Sequence, residues 1–192
     1  MIDDGRLRCW PVRDEIARAY HDEEWGRPVR DEARLFEKIC LEAFQSGLSW
    51  DTILRKRPGF RAAFADFDPE AVAGFGARDV ERLLADATIV RNRRKIEAAI
   101  ANAQAVADLH AAGETLAGLI WAHRPRERAA PRALAEMPAT TPESVALARE
   151  LKARGFRFVG PTTVYAMMQA VGVVNDHLAT CWVREEVESL RA

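Results

Sequence analysis

The sequence predicts an all-α protein, and three observations carry that expectation. Apolar residues recur at helical spacing over most of the chain, strand-like alternation is nearly absent, and caps and breakers fall where the periodic segments end. Asp31 is placed to cap a helix in which Leu35, Phe36, Ile39, Cys40, Ala43 and Phe44 form one apolar stripe, ending at Gly47. Ser49 opens a helix from Trp50 to Arg57, which Pro58 is expected to end. Asp68-Pro69 starts another, and Ala77-Arg78-Asp79 starts a further one through Leu84. Arg91 to His110 reads as a long amphipathic helix that stops near Gly113. Between Ala122 and Pro138, proline, arginine and alanine predict a surface connection with at most a helical turn. Thr141-Pro142 is a strong helix start, and that helix runs to Arg154 and stops at Gly155. A second begins at about Pro161 and ends at Gly172.

Length and composition fit one domain, residues 1–192, with 48% apolar residues for a core and 30% charged residues to cover it. No apolar stretch approaches the ~20 residues that span a bilayer, and the first residues lack a signal-peptide layout, so a cytoplasmic protein without a membrane partner is expected. The net charge of −1 offers no global attraction to nucleic acid, so any such contact must use a local patch. Arg91-Asn92-Arg93-Arg94-Lys95 is the densest basic run, and a solvated helix face is the expected reading of it. Three cysteines are too few, and odd in number, for a secreted disulfide framework.

Three constellations bear on chemistry. The helices on either side of residues 154–160 are joined in very few residues, and Gly160-Pro161 leaves backbone N–H groups free at the second helix's start. With Thr162 and Thr163 small, and Lys152, Arg154 and Arg157 nearby, this is either a phosphate site that positions a protein on DNA or a plain capped hairpin. Cys9 and His21 near one end, with His177 and Cys181 at i, i+4 near the other, make a Cys2His2 set suited to a closed tetrahedral zinc site. On spacing alone, buried cysteines and ordinary histidines fit as well; Cys40 lies on an apolar stripe and belongs to the core. Finally, Glu42 sits on the edge of the apolar face of its helix, eight residues before Trp50, with Tyr20, Trp10 and Trp25 upstream. A carboxylate among aromatic faces suits a flat cationic heterocycle; it also suits a buried ion pair beside core tryptophans.

Taken together, Arg8-Cys9-Trp10, Ala19-Tyr20-His21-Asp22-Glu23-Glu24-Trp25-Gly26, Leu35-Phe36-Glu37-Lys38-Ile39-Cys40-Leu41-Glu42, Gln45-Ser46-Gly47-Leu48-Ser49-Trp50, the segment 155–163 and Val174-Asn175-Asp176-His177 resemble the DNA-3-methyladenine glycosylase I family of the helix-hairpin-helix superfamily. The likeness runs from about Arg8 to Cys181. It implies a repair enzyme that flips out N3-methyladenine from double-stranded alkylated DNA and hydrolyses its glycosidic bond, acting as a monomer. Glu42 is then the catalytic contact to the base, Trp50 stacks on it with Tyr20 alongside, and Trp10 and Trp25 complete the pocket more distantly. Gly160, Thr162 and Thr163 hold the DNA backbone, and Cys9, His21, His177 and Cys181 hold one structural Zn2+ that ties the two ends together, remote from the bond broken. Asn175 stands where relatives in the wider superfamily carry an aspartate, and Thr162 where bifunctional ones carry a lysine, which implies hydrolysis without strand cleavage. Two places depart from the family pattern: Cys9 and Trp10 adjoin without an intervening glycine, and Ala43-Phe44 replaces smaller or polar residues beside Glu42.

Overall fold

The computed structural model describes residues 4–126 and 129–191, and every regular element among them is helical. In chain order these are α1 (Glu15–Ala19), a π-helical turn (Tyr20–Glu24), α2 (Glu32–Gln45), α3 (Trp50–Ala63), α4 (Pro69–Ala73), α5 (Ala77–Ala85), α6 (Arg93–Ala111), α7 (Leu116–Trp121), α8 (Pro142–Ala153), α9 (Pro161–Ala170) and α10 (Arg184–Leu190). Short 3-10 turns at Ala65–Phe67 and Leu134–Glu136 complete the set; of the expected connection from Ala122 to Pro138, residues 127–128 lie outside the described residues.

The middle of the molecule is α2. The Asp31 side chain accepts from the Arg34 backbone N–H, as its N-cap position requires. Helices α3, α6, α7 and α9 all pack against α2, so the whole run from Leu35 to Phe44 is buried and the stripe read from the sequence widens to nearly every face. Three ionisable residues, Glu37, Lys38 and Glu42, are carried inside with it. Glu37 is met by Arg34 and Arg61, which is how a buried charge is ordinarily tolerated.

Pro58 does not end α3. The helix continues to Ala63 because Phe60 and Ala63 beyond the proline are buried, with Phe60 packed 4.7 Å from Phe44. A proline in a helix interior costs ~3 kcal/mol, whereas burying a phenylalanine returns about 1.5–3 kcal/mol. Phe60 and the capping Phe64, both fully buried, therefore offset it.

The expected Arg91–His110 helix begins two residues later, with Asn92 as its cap. Arg91, Arg93 and Arg94 are exposed, Arg93 pairing with Glu81. Lys95 departs from the solvated face: it is buried, and its ammonium donates to the carbonyls of Phe44 (2.9 Å) and Ser46 (2.6 Å). A cation there satisfies carbonyls that the C-terminus of α2 leaves unpaired. It also fixes the turn that leads into Trp50.

The hairpin between α8 and α9 spans residues 154–160 and uses two positive-φ residues, Gly155 and Phe158. Asn102 of α6, fully buried, clamps it from both sides: its carbonyl accepts from Arg157 N at 2.7 Å and its amide donates to Arg157 O at 3.2 Å. At the far end of α9, Gly172 has φ +75°, and a Cβ there would lie 2.6 Å from the Gly26 carbonyl oxygen. That close approach lays residues 26–29 against α9, sealed by Val29 N to Val171 O at 3.0 Å. No helix among the described residues is long and apolar enough to cross a membrane.

Candidate active site and metal cluster

The turn after α2 and the π-helical turn after α1 aim their aromatics at the same space. In the π turn the Trp25 N–H reaches back five residues to Tyr20 O at 2.8 Å. The wider turn directs Tyr20 and His21 to different neighbours, Tyr20 toward Trp50 (ring centroids 5.2 Å apart, 41° tilt) and His21 toward the chain ends. Between the π turn, α2, the start of α3 and α9 lies a cavity of about 690 Å³. Glu42, Trp50, Tyr20, Trp10 and Trp25 all line it, so the five residues singled out in the sequence share one space. Trp10 and Trp25 meet edge to face at 4.8 Å, and the missing glycine before Trp10 does not remove it from the lining. Phe44 points away into the core and Ala43 is buried, so of the residues following Glu42 it is Gln45 that reaches the cavity.

Glu42 is 6% exposed, and burial pushes its carboxyl up to about 7, with the Lys38 charge opposing. No hydrogen bond among the described residues supports its charged form. Trp50 Nε1 is a buried donor with no partner among the described residues. An uncommitted acceptor and an uncommitted donor on one aromatic cavity are groups awaiting a ligand. Gln169 of α9, also on the lining, is oriented from behind: its Nε2 donates to Asp176 at 2.9 Å, and the same carboxylate accepts from Tyr165 OH. Sequence reading missed Gln169; its spacing from the hairpin, two helical turns along α9 from Thr162, was the available signal.

The hairpin presents its helix start bare. Gly160 caps α9 without a side chain, Pro161 occupies the first turn, and Thr162 is exposed. The N–H groups of the first turn of α9 are therefore open to an anion. Of the three basic residues expected beside it, Lys152 and Arg157 are exposed, while Arg154 is committed to Glu114 and Glu150. Ala166, one turn along the same helix, lies on the cavity wall. Asn175 does not line the cavity; its amide donates to Arg184 O and Glu188.

At the back of the aromatic wall, Cys9, His21, His177 and Cys181 converge, all buried, with ligand atoms within 4.8 Å of one another. His177 and Cys181 do not share a helix, as their spacing suggested; they sit on a turn closed by Cys181 N to Leu178 O at 2.8 Å. His177 Nδ1 lies 3.3 Å from Cys9 Sγ and 3.4 Å from Cys181 Sγ, and His21 Nε2 lies 3.6 Å from Cys181 Sγ. A tetrahedral ion with S and N ligands at zinc distances sets such an edge at about 3.5 Å. The outer partners agree: His21 Nδ1 faces Asp22 Oδ1 at 2.8 Å, turning Nε2 into the cluster beside Cys9 N (3.2 Å), and His177 Nε2 faces Trp25 O at 2.9 Å, turning Nδ1 inward. Gly26 admits this packing, since a Cβ there would touch the His177 ring at 3.0 Å. A hydrogen bond between the two sulfurs, Cys9 as thiol and Cys181 as thiolate, pushes Cys9 up and Cys181 down; a cation between them would hold both as thiolates. The four residues fit a metal ion. The cluster is also closer to the cavity than expected, because His21 and His177 pack edge-on against Trp10 (4.7 Å) and Trp25 (4.6 Å).

An all-helical body with a hairpin whose second helix starts without a side-chain cap, and an aromatic cavity on that same helix, defines a helix-hairpin-helix DNA glycosylase fold. The chain belongs to the methyladenine glycosylase family, whose model matches residues 10–185. It is 48% identical over 178 residues to DNA-3-methyladenine glycosylase 1 of Escherichia coli (strain K12), covering 91% of this chain and 95% of that protein. A crystal structure of 3-methyladenine DNA glycosylase I superposes with a TM-score of 0.88 at 46% identity, over 92% of this chain and 98% of the other. The Staphylococcus aureus 3-methyladenine DNA glycosylase I, solved to show how that enzyme recognises 3-methyladenine, matches with a TM-score of 0.86 at 32% identity, over 90% and 93%.

Proposed function

We propose that this protein removes N3-methyladenine from alkylated double-stranded DNA by hydrolysis, leaving an abasic site. One observation carries the reading: a desolvated carboxylate, Glu42, and a stacking surface, Trp50 with Tyr20, share a single cavity one helical turn from the hairpin that would hold the backbone. Gly160, Thr162 and Thr163 hold a phosphate through the open helix start, which positions the duplex without reading its sequence. Extruding the nucleotide costs roughly a few kcal/mol of stacking and pairing, offset by aromatic contact and by the attraction of Glu42 for a positively charged base. N3-methylation already makes the base a cation, so it departs as neutral 3-methyladenine with the electron pair of the broken C1′–N bond, and water supplies the oxygen that joins C1′. Normal adenine carries no such charge and gains nothing from Glu42. Trp10 and Trp25 close the pocket behind it.

Cys9, His21, His177 and Cys181 hold one Zn2+, whose contribution is structural: it joins the N- and C-terminal segments and braces the Trp10–Trp25 wall. Thr162 cannot form a Schiff base, and Asn175 and Asp176 are held by other partners, so the reading includes no lyase step. The protein works as a monomer in the cytoplasm, where its three cysteines, none of them in a disulfide, stay reduced. Incubation with methylated DNA, with the liberated base identified by chromatography, tests the reading. Release of 3-methyladenine with intact strands is expected. Tight binding to methylated DNA without any released base would leave a non-catalytic clamp instead.

A further inference from the structure

Among the described residues, Lys38 is a buried cation whose place the proposed chemistry leaves unexplained. It lies one turn before Glu42 on α2, 5% exposed. Its ammonium sits 5.0 Å from the centroid of the Tyr20 ring and 5.1 Å from that of Trp50, and donates to Glu24 Oε1 at 2.9 Å. Glu24 is gripped in turn by Arg57 of α3, whose Nη1 reaches both carboxylate oxygens at 2.6 Å. An alternating row of charge, Arg57, Glu24, Lys38, Glu42, therefore runs from α3 through the π turn into the cavity. The row is neutral as a whole, and the half-buried Arg57 and Glu24 lead from the surface to the buried Lys38 and Glu42. Held by Lys38 and Arg57, Glu24 stays below the ordinary carboxylate range despite its burial.

We propose that Lys38 is a positioning residue for base excision: its ammonium, lodged beneath Tyr20 and Trp50 and anchored by Glu24, keeps Glu42 in the carboxylate form that a cationic base requires. The proposal rests on the reading of Glu42 given above. Burial alone drives that side chain toward the neutral acid, which offers a cation no attraction and presents a donor where an acceptor is needed. Lys38 is the charge that opposes this. The other elements packed on α2 contribute little at that point. Tyr20 faces it from the π turn, Glu24 of that turn is spent on Lys38 and Arg57, and Asp51 of α3 and Arg13 lie on the cavity lining. Lys95 of α6 is spent on the Phe44 and Ser46 carbonyls, and Glu37 lies between Arg34 and Arg61 on another flank. Around Glu42 on the α8–α9 side stand Leu151, Val159, Thr163, Val164 and Met167, none of them ionisable. The α7 segment Leu116–Trp121 carries no ionisable residue.

The test compares Lys38→Met with Lys38→Arg in the full zinc-loaded protein, using two readouts. One is the titration of the Glu42 carboxyl by carbon NMR, assigned with Glu42→Gln. The other is the pH profile of single-turnover excision from methylated DNA. Removing an opposite charge one helical turn away raises a carboxyl pKa by about one unit or more. In Lys38→Met the titration midpoint and the acid limb of the rate profile should both rise by about that amount, costing roughly five- to tenfold in rate at pH 7 and recovering by pH 9. Lys38→Arg should keep both near the wild-type position. A folded Lys38→Met protein with an unmoved Glu42 midpoint overturns the proposal, whatever its activity. A midpoint that rises while the rate profile stays put also overturns the proposal, in this case by removing Glu42 from excision. Should Lys38→Met not fold, the Glu24→Gln/Lys38→Met double variant, which leaves no orphaned carboxylate, is read in the same way.

Discussion

Replacing Glu42 by glutamine should make the protein more stable and less active at the same time. Glutamine has the same shape, so packing on α2 is retained, but it cannot ionise. The Glu42 carboxyl is raised from 4.5 to about 7 by burial. A carboxyl raised in the native state penalises folding only when ionised. The penalty is absent below the unfolded value, grows as pH climbs through the interval, and is complete above the folded value. At about 1.4 kcal/mol per pH unit, its full size is about 3.5 kcal/mol. Glu42→Gln should therefore gain roughly 3 kcal/mol over wild type at pH 8.5, or about 6–12 °C in Tm, and under about 1 kcal/mol at pH 5. Urea denaturation of both proteins at the two pH values, with zinc present throughout, measures this directly. Excision should fall by about 10- to 150-fold, the worth of a hydrogen bond to a charged group. Equal stability at pH 8.5 would refute the desolvation argument, and wild-type excision would remove Glu42 from the chemistry.

Trp50→Ala should lower excision of 3-methyladenine by roughly 5- to 150-fold through lost stacking, with the loss appearing in weaker base binding measured by fluorescence titration. Metal removal by a strong chelator, or Cys181→Ser, should lower Tm sharply and loosen the Trp10–Trp25 wall, seen as a change in near-UV circular dichroism; an unchanged spectrum would separate the cluster from the cavity. Asp22→Asn should weaken zinc affinity by about 10- to 100-fold, because it orients His21 from outside the ligand set; competition with a chromophoric chelator reads this. Asn102→Ala should weaken DNA binding while leaving free-base binding intact, and should cost about 1–3 kcal/mol in stability by orphaning hairpin groups.

Most of the helical layout was legible because its punctuation is local. Asp31, Ser49, Asp68, Asn92 and Thr141 all accept the backbone bonds that caps are for. What escaped was set by distant contacts. The continuation of α3 past Pro58 depends on Phe44, fourteen residues earlier, and Lys95 is drawn inside by carbonyls some fifty residues away. The π turn at Tyr20–Glu24 is too short to show a period, yet it separates the cavity residue Tyr20 from the metal-cluster residue His21. Glu42 could be suspected from helical phase alone, since a carboxylate on an apolar stripe is rarely idle. Lys38 and Glu24 gave no such signal, because their meaning lies in the row of charge that only the fold assembles. Cys9 and Cys181 stand at opposite ends of the chain, so nothing in local spacing required them to meet.

The most direct test of the account is the position of the base itself. A crystal structure of this protein soaked with 3-methyladenine should place the purine in the cavity against Trp50, with its edge within hydrogen-bond distance of the Glu42 carboxylate. A base bound elsewhere, or one lying in the cavity with Glu42 turned away from it, would contradict the account.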